Sequence, residues 1–226
     1  MRGKTAYFGC CIAIGAVGIG MVPKMSVLKN LNGFSFILYI PGESEFQTEK
    51  GTRVKFIEKT EYPADGKVSI KLDVSRREEF EIRFRIPYFT KRFRIMVNGK
   101  EMNPQIADSA AVLNNIWSSG DIIDIELDMN PRIVHGLENE KDSLSSRHIA
   151  FMYGPLVLAA DKRLGEHGAV IENSSDTIQF RRTEPLFESV IQGEIDFGGQ
   201  IIKMTDYSSA GKTWRRDSET EVWIKT

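Results

Sequence analysis

Apolar and polar residues alternate through most of the stretch between residues 34 and 129. Five runs place every second residue on one apolar face, at 34–40, 68–74, 80–86, 93–97 and 123–129. A period of two with one polar face is the pattern of antiparallel strands that each bury one side. Asn98-Gly99, after the fourth run, is a strong signal for a type I′ hairpin. The pattern predicts a β-sandwich over residues 31–133.

A second β-sandwich is predicted over residues 134–226. Its clearest strand region is the nearly continuous apolar stretch 149–160, which contains the turn signal Gly154-Pro155. Further short strands are predicted at 178–180, 201–204 and 221–225. The polar stretch 135–146 is predicted to be a linker or an excursion of the chain. The expected fold class is therefore mainly β, with two antiparallel β-sandwich domains.

The composition is that of an ordinary globular protein. Hydrophobic residues make up 41% of the 226 residues and charged residues 27%, and the formal net charge is −1. This balance gives no electrostatic reason to expect nucleic acid or an anionic membrane as a partner. The chain has only two cysteines, and they are neighbours, so a disulfide-stapled scaffold is excluded.

The first 23 residues, MRGKTAYFGCCIAIGAVGIGMVP, allow two interpretations. A basic start followed by the apolar run 8–22 is typical of a secretion signal. The run is shorter than the roughly 20 residues that a membrane-spanning helix needs. In the first interpretation, the mature chain is an exported β-sandwich protein that starts near Lys24. In the second, the stretch is an internal piece of a longer protein.

Cys10 and Cys11 are the candidate reactive residues of this stretch. They are either two buried thiols that act as small hydrophobic side chains, or thiolates that serve as metal ligands or as a nucleophile. The histidines His135, His148 and His167 have no ligand spacing, so a histidine metal site is not predicted. The sequence also lacks a G-x-S-x-G motif and a phosphate-binding glycine loop.

Aromatic residues in predicted loops are candidates for a sugar-stacking platform. They are Tyr88, Phe89, Trp117, Tyr207 and Trp214. The favoured interpretation is that these side chains close the ends of the sandwich cores. For Trp117 this role is natural, because the residue lies just before a predicted strand.

Several short motifs, taken in order, resemble one protein family. Residues 61–68 (EYPADGKV) resemble its T-x-Y-P-x-D-G-K-V turn, 84–88 (FRIPY) its L-R-I-P-x-W strand end, and 97–99 (VNG) its V-N-G hairpin. Residues 117–121 (WSSGD) resemble W-x-x-G-D, 127–132 (LDMNPR) L-x-M-x-x-R, and 154–157 (GPLV) G-P-L-V-Y. The family is the bacterial β-L-arabinofuranosidase family of glycoside hydrolases, family 127. The resemblance covers the chain nearly from end to end.

The resemblance implies a domain order. In this family a catalytic (α/α)6 barrel precedes two β-sandwich domains, and a Cys-Cys pair lies at the start of a helix near the end of the barrel. A short loop and the motif V-N-L-Y-I-P follow. Here Cys10-Cys11 is followed by Pro23-Lys24 and then by FILYIP at 36–41. The implied regions are a short helical barrel remnant at 1–30 and sandwiches at 31–133 and 134–226.

The resemblance also implies a chemistry. The family is similar to retaining glycosidases with a cysteine thiolate nucleophile, a zinc ion held by three cysteines and a glutamate, and a separate acid/base glutamate. By position, Cys10 corresponds to the catalytic nucleophile and a zinc ligand, and Cys11 to a second zinc ligand. The other groups lie upstream in the family, and the nine residues before Cys10 contain no Glu, Asp, His or Cys. We therefore expect zinc to be absent or incomplete here, and the isolated chain to be inactive.

The main hypothesis is the C-terminal accessory sandwich portion of such a glycoside hydrolase, with a plant-type glycan as the substrate in the family context. Two alternatives stay open: a noncatalytic sandwich protein that binds glycans or supports another protein, and the exported protein described above. The apolar residues 6–28 are expected to need burial, against the first sandwich or in a homodimer. Neither nucleic acid nor a membrane is an expected partner. Periplasmic, extracellular and cytoplasmic locations are all compatible with the sequence.

Overall fold

A computed structural model of the chain describes residues 9–136, 147–166, 168–171, 177–212 and 218–226. Most of the predicted linker, His167 and Trp214 lie outside these ranges. The chain divides into two compact units. Unit 1 comprises Met1–Tyr62, Lys67–Tyr88 and Arg92–Leu127, and unit 2 comprises Pro63–Gly66, Phe89–Lys91 and Asp128–Thr226.

Unit 1 contains one helix and eleven strands in its described residues. The helix is α1 (Gly9–Ser26). The strands are β1 (Val27–Lys29), β2 (Gly33–Phe36), β3 (Gly42–Gln47), β4 (Arg53–Thr60), β5 (Lys67–Val74), β6 (Glu78–Arg85), β7 (Phe93–Val97), β8 (Lys100–Glu101), β9 (Gln105–Ala107), β10 (Ala110–Trp117) and β11 (Ile122–Leu127). They form two sheets, in the orders β1-β2-β6-β10-β9 and β3-β4-β5-β11-β7-β8.

The apolar faces of these two sheets share one core. Phe34 lies at its centre, and its ring centroid is 5.2 Å from that of Phe56 and 5.4 Å from that of Phe80. Phe56 belongs to one sheet and Phe80 to the other, so the aromatic contacts join the two layers. The polar residues that alternate with these phenylalanines face outward. The predicted mainly β sandwich architecture is confirmed.

The strand predicted at 34–40 is shorter than the alternation suggested. β2 ends at Phe36, and the buried side chain that follows is Tyr39 instead of Leu38. The chain leaves the sheet because the N–H groups of Ile37 and Leu38 donate to the carbonyl oxygen of Ser26, at 2.8 and 3.2 Å. β2 also pairs with β6 in parallel, whereas the alternation predicted antiparallel strands.

Unit 2 contains eight strands in its described residues: β12 (Pro131–His135), β13 (His148–Tyr153), β14 (Leu156–Asp161), β15 (Ile178–Arg182), β16 (Gln192–Phe197), β17 (Gln200–Asp206), β18 (Thr220–Glu221) and β19 (Ile224–Lys225). The order is β12-β13-β14-β17-β16-β15, with β18 paired to β14 and β19 to β13. All these pairs are antiparallel. A core around Phe151 and Phe197, whose ring centroids are 5.7 Å apart, fills this unit.

The sheet of unit 2 curls so that distant strands touch. Tyr153 of β13 stacks on Phe180 of β15 with 4.7 Å between ring centroids. The ring of Phe180 lies over Gly193, where a Cβ would be 2.5 Å from both the Phe180 Cζ atom and the Arg181 carbonyl oxygen. Gly193 therefore permits the close approach of the aromatic ring to the backbone of β16.

A buried polar network fastens the turn at 207–212. Asp206 is 1% exposed, and its carboxylate accepts hydrogen bonds from the N–H groups of Val190, Ile191 and Ser209. Asp161 is fully buried and accepts two hydrogen bonds from the Arg163 guanidinium, at 2.6 and 2.9 Å. Burial alone would raise the pKa of both carboxyls, but these hydrogen bonds outweigh it and lower each pKa.

The Gly193→Ala substitution should destabilise unit 2 by about 1–3 kcal/mol, because the new methyl group collides with backbone and with an aromatic ring. Gly15→Ala is the matched control, since a Cβ there meets no atom within 4 Å. The control should not lower stability, because alanine favours helix by about 1 kcal/mol over glycine. Urea unfolding measures both. Equal midpoints for the two variants would contradict the packing described at Phe180.

The Asp206→Asn substitution should lower the free energy of unfolding by about 1–3 kcal/mol at neutral pH. The amide nitrogen cannot accept hydrogen bonds from the N–H groups that now donate to the carboxylate. Since the folded pKa of Asp206 is lowered, its contribution is present above the ordinary pKa of aspartate. It is lost as pH falls through the lowered value.

The stability difference between wild type and the Asp206 variant should therefore shrink in acid. Asp196→Asn is the control, because exposed Asp196 accepts a single N–H from Gly199 at 3.0 Å. Thermal unfolding between pH 2 and 7 tests the expectation. A difference that stays constant with pH would show that the charge of Asp206 contributes nothing.

Candidate functional site

The cysteine pair lies near the first described residue of α1. The helix runs through Cys10 and Cys11, and the side chain of Cys11 is exposed. The side chain of Cys10 lies outside the described residues. Alanine favours the helix, whereas Gly15, Gly18 and Gly20 weaken it by about 1 kcal/mol each relative to alanine. Such a helix is stable only when packing adds to its intrinsic propensity.

The side chains of α1 are apolar all round, and they are exposed. Ile12 is 69% exposed, Ile14 72% and Ile19 76%, and these positions do not share a single face. A helix that is hydrophobic on every side is typical of the interior of a larger protein. None of the helices in the described part of the chain is long and apolar enough to cross a membrane. Within the predicted range 6–28, side chains 11–25 are exposed and Val27 is buried, so the described part of the first sandwich buries only the end of this segment.

The described residues do not by themselves fit a closed zinc site. A structural zinc ion takes four ligands, and no three His, Cys, Asp or Glu side chains cluster within the described ranges. His135 is exposed and His148 half-buried. With only two cysteines in the sequence, the thiols can supply at most two of the four positions.

The predicted aromatic platform is not assembled around Trp117. This side chain is fully buried, and its Nε1–H donates to the carbonyl oxygen of Phe80 at 2.9 Å. Its predicted core-closing role is confirmed. Tyr88 is 83% exposed and Tyr207 is 60% exposed, so their rings are accessible. Phe89 is half-buried, and the Arg132 guanidinium carbon lies 5.8 Å from its ring centroid.

In unit 1 the family-like motifs make structural contacts. Asn98 of the V-N-G hairpin donates to the carboxylate of Asp121 at 2.9 Å, and the Asn98 side-chain oxygen accepts the N–H of Ile122. Asp121 also accepts the N–H of Ser118, which closes the W-x-x-G-D turn. These contacts lock two turns together, which is a structural role.

In unit 2 the motifs at 127–132 and 154–157 meet each other. Arg132 donates to the carbonyl oxygen of Gly154 at 2.5 Å and contacts the Met152 sulfur at 3.0 Å. Gly154 has a φ of +52°, and a Cβ there would lie 2.3 Å from the terminal methyl of Met129. A side chain at this position would be strained by the backbone angle and would need the Met129 side chain to move.

The sequence motifs did not point to Glu58, a buried carboxyl in the core region of unit 1. It is 6% exposed, and its Oε1 accepts the N–H of Ile40 at 3.1 Å. Burial raises the pKa of Glu58 to about 8, and the hydrogen bond from Ile40 opposes only part of that rise. A signal was present in the sequence. Val54, Phe56 and Glu58 follow one another on the inward face of a single strand.

Three solved structures show which class of protein has this fold. A GH127 β-L-arabinofuranosidase from Geobacillus stearothermophilus T6 aligns with a TM-score of 0.76 at 18% identity, covering 96% of this chain and 37% of that one. A glycoside hydrolase aligns at 0.78 and 20% identity, covering 97% and 40%. A GH127 β-arabinofuranosidase aligns at 0.65 and 20% identity, covering 85% and 34%. This chain thus has the β-sandwich fold found in glycoside hydrolases and spans 34–40% of their length.

A family model matches part of the first sandwich. Residues 34–129 match the family model described as the GH127 middle domain of β-L-arabinofuranosidase. The resemblance that the sequence motifs predicted is therefore confirmed, and residues 34–129 are similar to a GH127 middle domain. No curated protein sequence matches the chain.

The Glu58→Gln substitution should remove a pH dependence of unit 1. The folded pKa of Glu58 is raised, so its favourable contribution is complete below the ordinary pKa of 4.5. It is lost as pH rises toward about 8. Glutamine keeps an oxygen that accepts the N–H of Ile40 and carries no charge. The variant should be more stable than wild type above pH 8.

Urea midpoints between pH 5 and 9 measure this effect. Glu43→Gln is the matched control, because Glu43 is exposed on β3 and pairs with Lys55 at 2.7 Å. A wild-type pH profile that Glu58→Gln fails to flatten would mean that Glu58 is ionised in the folded state.

Proposed function

We propose that this chain is the C-terminal accessory portion of a zinc-thiolate, retaining glycoside hydrolase similar to β-L-arabinofuranosidases. In this proposal α1 carries Cys10 as the nucleophile and a zinc ligand, and Cys11 as a second zinc ligand. The remaining ligands and the acid/base glutamate lie on polypeptide other than the residues of this chain. The substrate class is a plant-type glycan.

One observation carries the proposal: Cys10 and Cys11 belong to a helix whose apolar side chains are exposed in the described chain. Ile12, Ile14 and Ile19 would each gain roughly 1.5–3 kcal/mol on full burial. A helix of this kind is stable inside a larger helical domain. The match of residues 34–129 to a GH127 middle domain supports such a domain as the neighbour of α1.

The proposal assigns no complete catalytic centre to the isolated chain. A retaining glycosidase needs a nucleophile and an acid/base group on opposite sides of the scissile bond. Cys10 and Cys11 supply the thiol part of such a centre. Two thiols leave two of the four positions around a zinc ion to other groups. We therefore expect the isolated chain neither to retain zinc tightly nor to hydrolyse a β-L-arabinofuranoside.

The zinc content per chain tests this expectation. The purified wild-type chain should retain well below one zinc per chain after gel filtration, as should a Cys10→Ser/Cys11→Ser control. An aryl β-L-arabinofuranoside should stay intact in both samples. One zinc per wild-type chain that disappears in the control, together with hydrolysis, would show that the chain completes the site itself, for instance between two copies.

A further inference from the structure

The helix α1 joins the first sandwich without a linker. It ends at Ser26, and β1 begins at Val27, which is 5% exposed. The last carbonyl groups of a helix have no partners within the helix. Here the carbonyl oxygen of Ser26 accepts two N–H groups, from Ile37 and Leu38, and the Ser26 hydroxyl donates to the carbonyl oxygen of Pro23 at 2.7 Å. The helix end is thus capped by a distant part of the chain.

The capping segment, residues 37–41, is itself fixed by side chains of both sheets. Arg85 of β6 donates from Nε to the carbonyl oxygen of Ile37 at 2.6 Å. The Tyr39 hydroxyl returns a hydrogen bond to the carbonyl oxygen of Arg85, also at 2.6 Å. Glu58 of β4 accepts the N–H of Ile40 at 3.1 Å. The sheet that contains β6 therefore fixes the start of the capping segment, and the sheet that contains β4 fixes its end.

These hydrogen bonds are made in a water-poor environment. Tyr39 is 3% exposed, and its ring packs edge-on against Tyr62 with 5.9 Å between centroids. Burial raises the pKa of Tyr39, which keeps its hydroxyl protonated and able to donate. A buried hydrogen-bonding group that loses its partner has no water to replace it. The capping segment is therefore held in one position.

Small changes at this junction would be amplified at the cysteines. Cys11 lies fifteen residues before Ser26, a distance of about 22 Å at 1.5 Å per helical residue. Over a straight helix of that length, a tilt of about 10° would displace Cys11 by about 4 Å. Pro23, which lies inside α1, adds a second point at which the helix bends. A displacement of about 1 Å of a reacting group is enough to slow catalysis about a hundredfold.

We propose that Tyr39, Glu58 and Arg85 are positioning residues, which set the direction of α1 through the capping segment and so place Cys10 and Cys11. The catalytic meaning of this placement rests on the function proposed above. We call Tyr39, Glu58 and Arg85 the clamp. That the clamp fixes the direction of α1 is inferred from the contacts of unit 1 alone.

The distance between α1 and the sandwich tests the proposal. One spin label is attached to Cys11 in a Cys10→Ser background, and a second to Lys71→Cys, an exposed position on β5. Dilution with unlabelled protein removes distances between chains. Pulsed electron paramagnetic resonance then gives the distance distribution within one chain. The background protein should show one maximum, with a width that includes the bending of the unpacked helix α1.

Two variants loosen the clamp. Arg85→Met removes the donor to the Ile37 carbonyl oxygen. Tyr39→Phe removes only a hydroxyl and preserves the packing of the ring, so it tests the proposal even if Arg85→Met fails to fold. Each should broaden the distribution about twofold or more, because the helix end then samples several positions. Arg94→Met is the matched control, since Arg94 is an exposed β7 residue that pairs with Glu101 and Glu126. It should leave the width unchanged, and thermal unfolding confirms that each variant is folded.

Unchanged widths in both clamp variants would overturn the proposal, as would an equal broadening by Arg94→Met. Neither outcome involves zinc or hydrolysis. A failure of the clamp therefore leaves the zinc measurement as a separate test of the proposed function, and tight zinc in the isolated chain leaves the clamp intact.

Discussion

The exclusion of water from between the two sheets of unit 1 is the interaction on which the rest of this molecule depends. Phe34, Phe56 and Phe80 meet there edge to face, with ring centroids 5.2–5.4 Å apart. Burial of each such side chain contributes roughly 1.5–3 kcal/mol. Glu58 lies two residues beyond Phe56 on the same strand, and Arg85 follows the buried Phe84. The polar clamp on α1 is therefore held in register by the aromatic core.

The sequence predicted strands well and strand partners less well. Alternation reveals which residues face inward, because the side to which a side chain points is set by the local pattern within one strand. It does not reveal that β2 runs parallel to β6, nor that the chain leaves the sheet after Phe36. Those outcomes depend on hydrogen bonds to Ser26 and to a strand more than forty residues away. Glu58 was hidden for a related reason, since a charged residue at an inward position contradicts the local pattern.

For the candidate site too, the sequence predicted some features and left others undetermined. The family-like motifs could be recognised in the sequence, but the contacts that they make were known only from the structure. Asn98 and Asp121 join two turns through a hydrogen bond, and Arg132 donates a hydrogen bond to the carbonyl oxygen of Gly154. These contacts hold turns of the scaffold in place. Cys10 and Cys11 of α1 are different, because no group of three His, Cys, Asp or Glu side chains that could hold a metal ion is found among the described residues.

The burial of Trp117 has a spectroscopic consequence. Its indole is fully enclosed in unit 1 and hydrogen-bonded to a backbone carbonyl, whereas Trp223 in unit 2 is 46% exposed. An enclosed indole emits at shorter wavelength than one in contact with water. Of the two described tryptophans, Trp117 therefore contributes to the blue edge of the chain's fluorescence and Trp223 to the red edge. A Trp214→Phe background isolates these two signals, and loss of the blue component then marks the melting of the layer that holds α1.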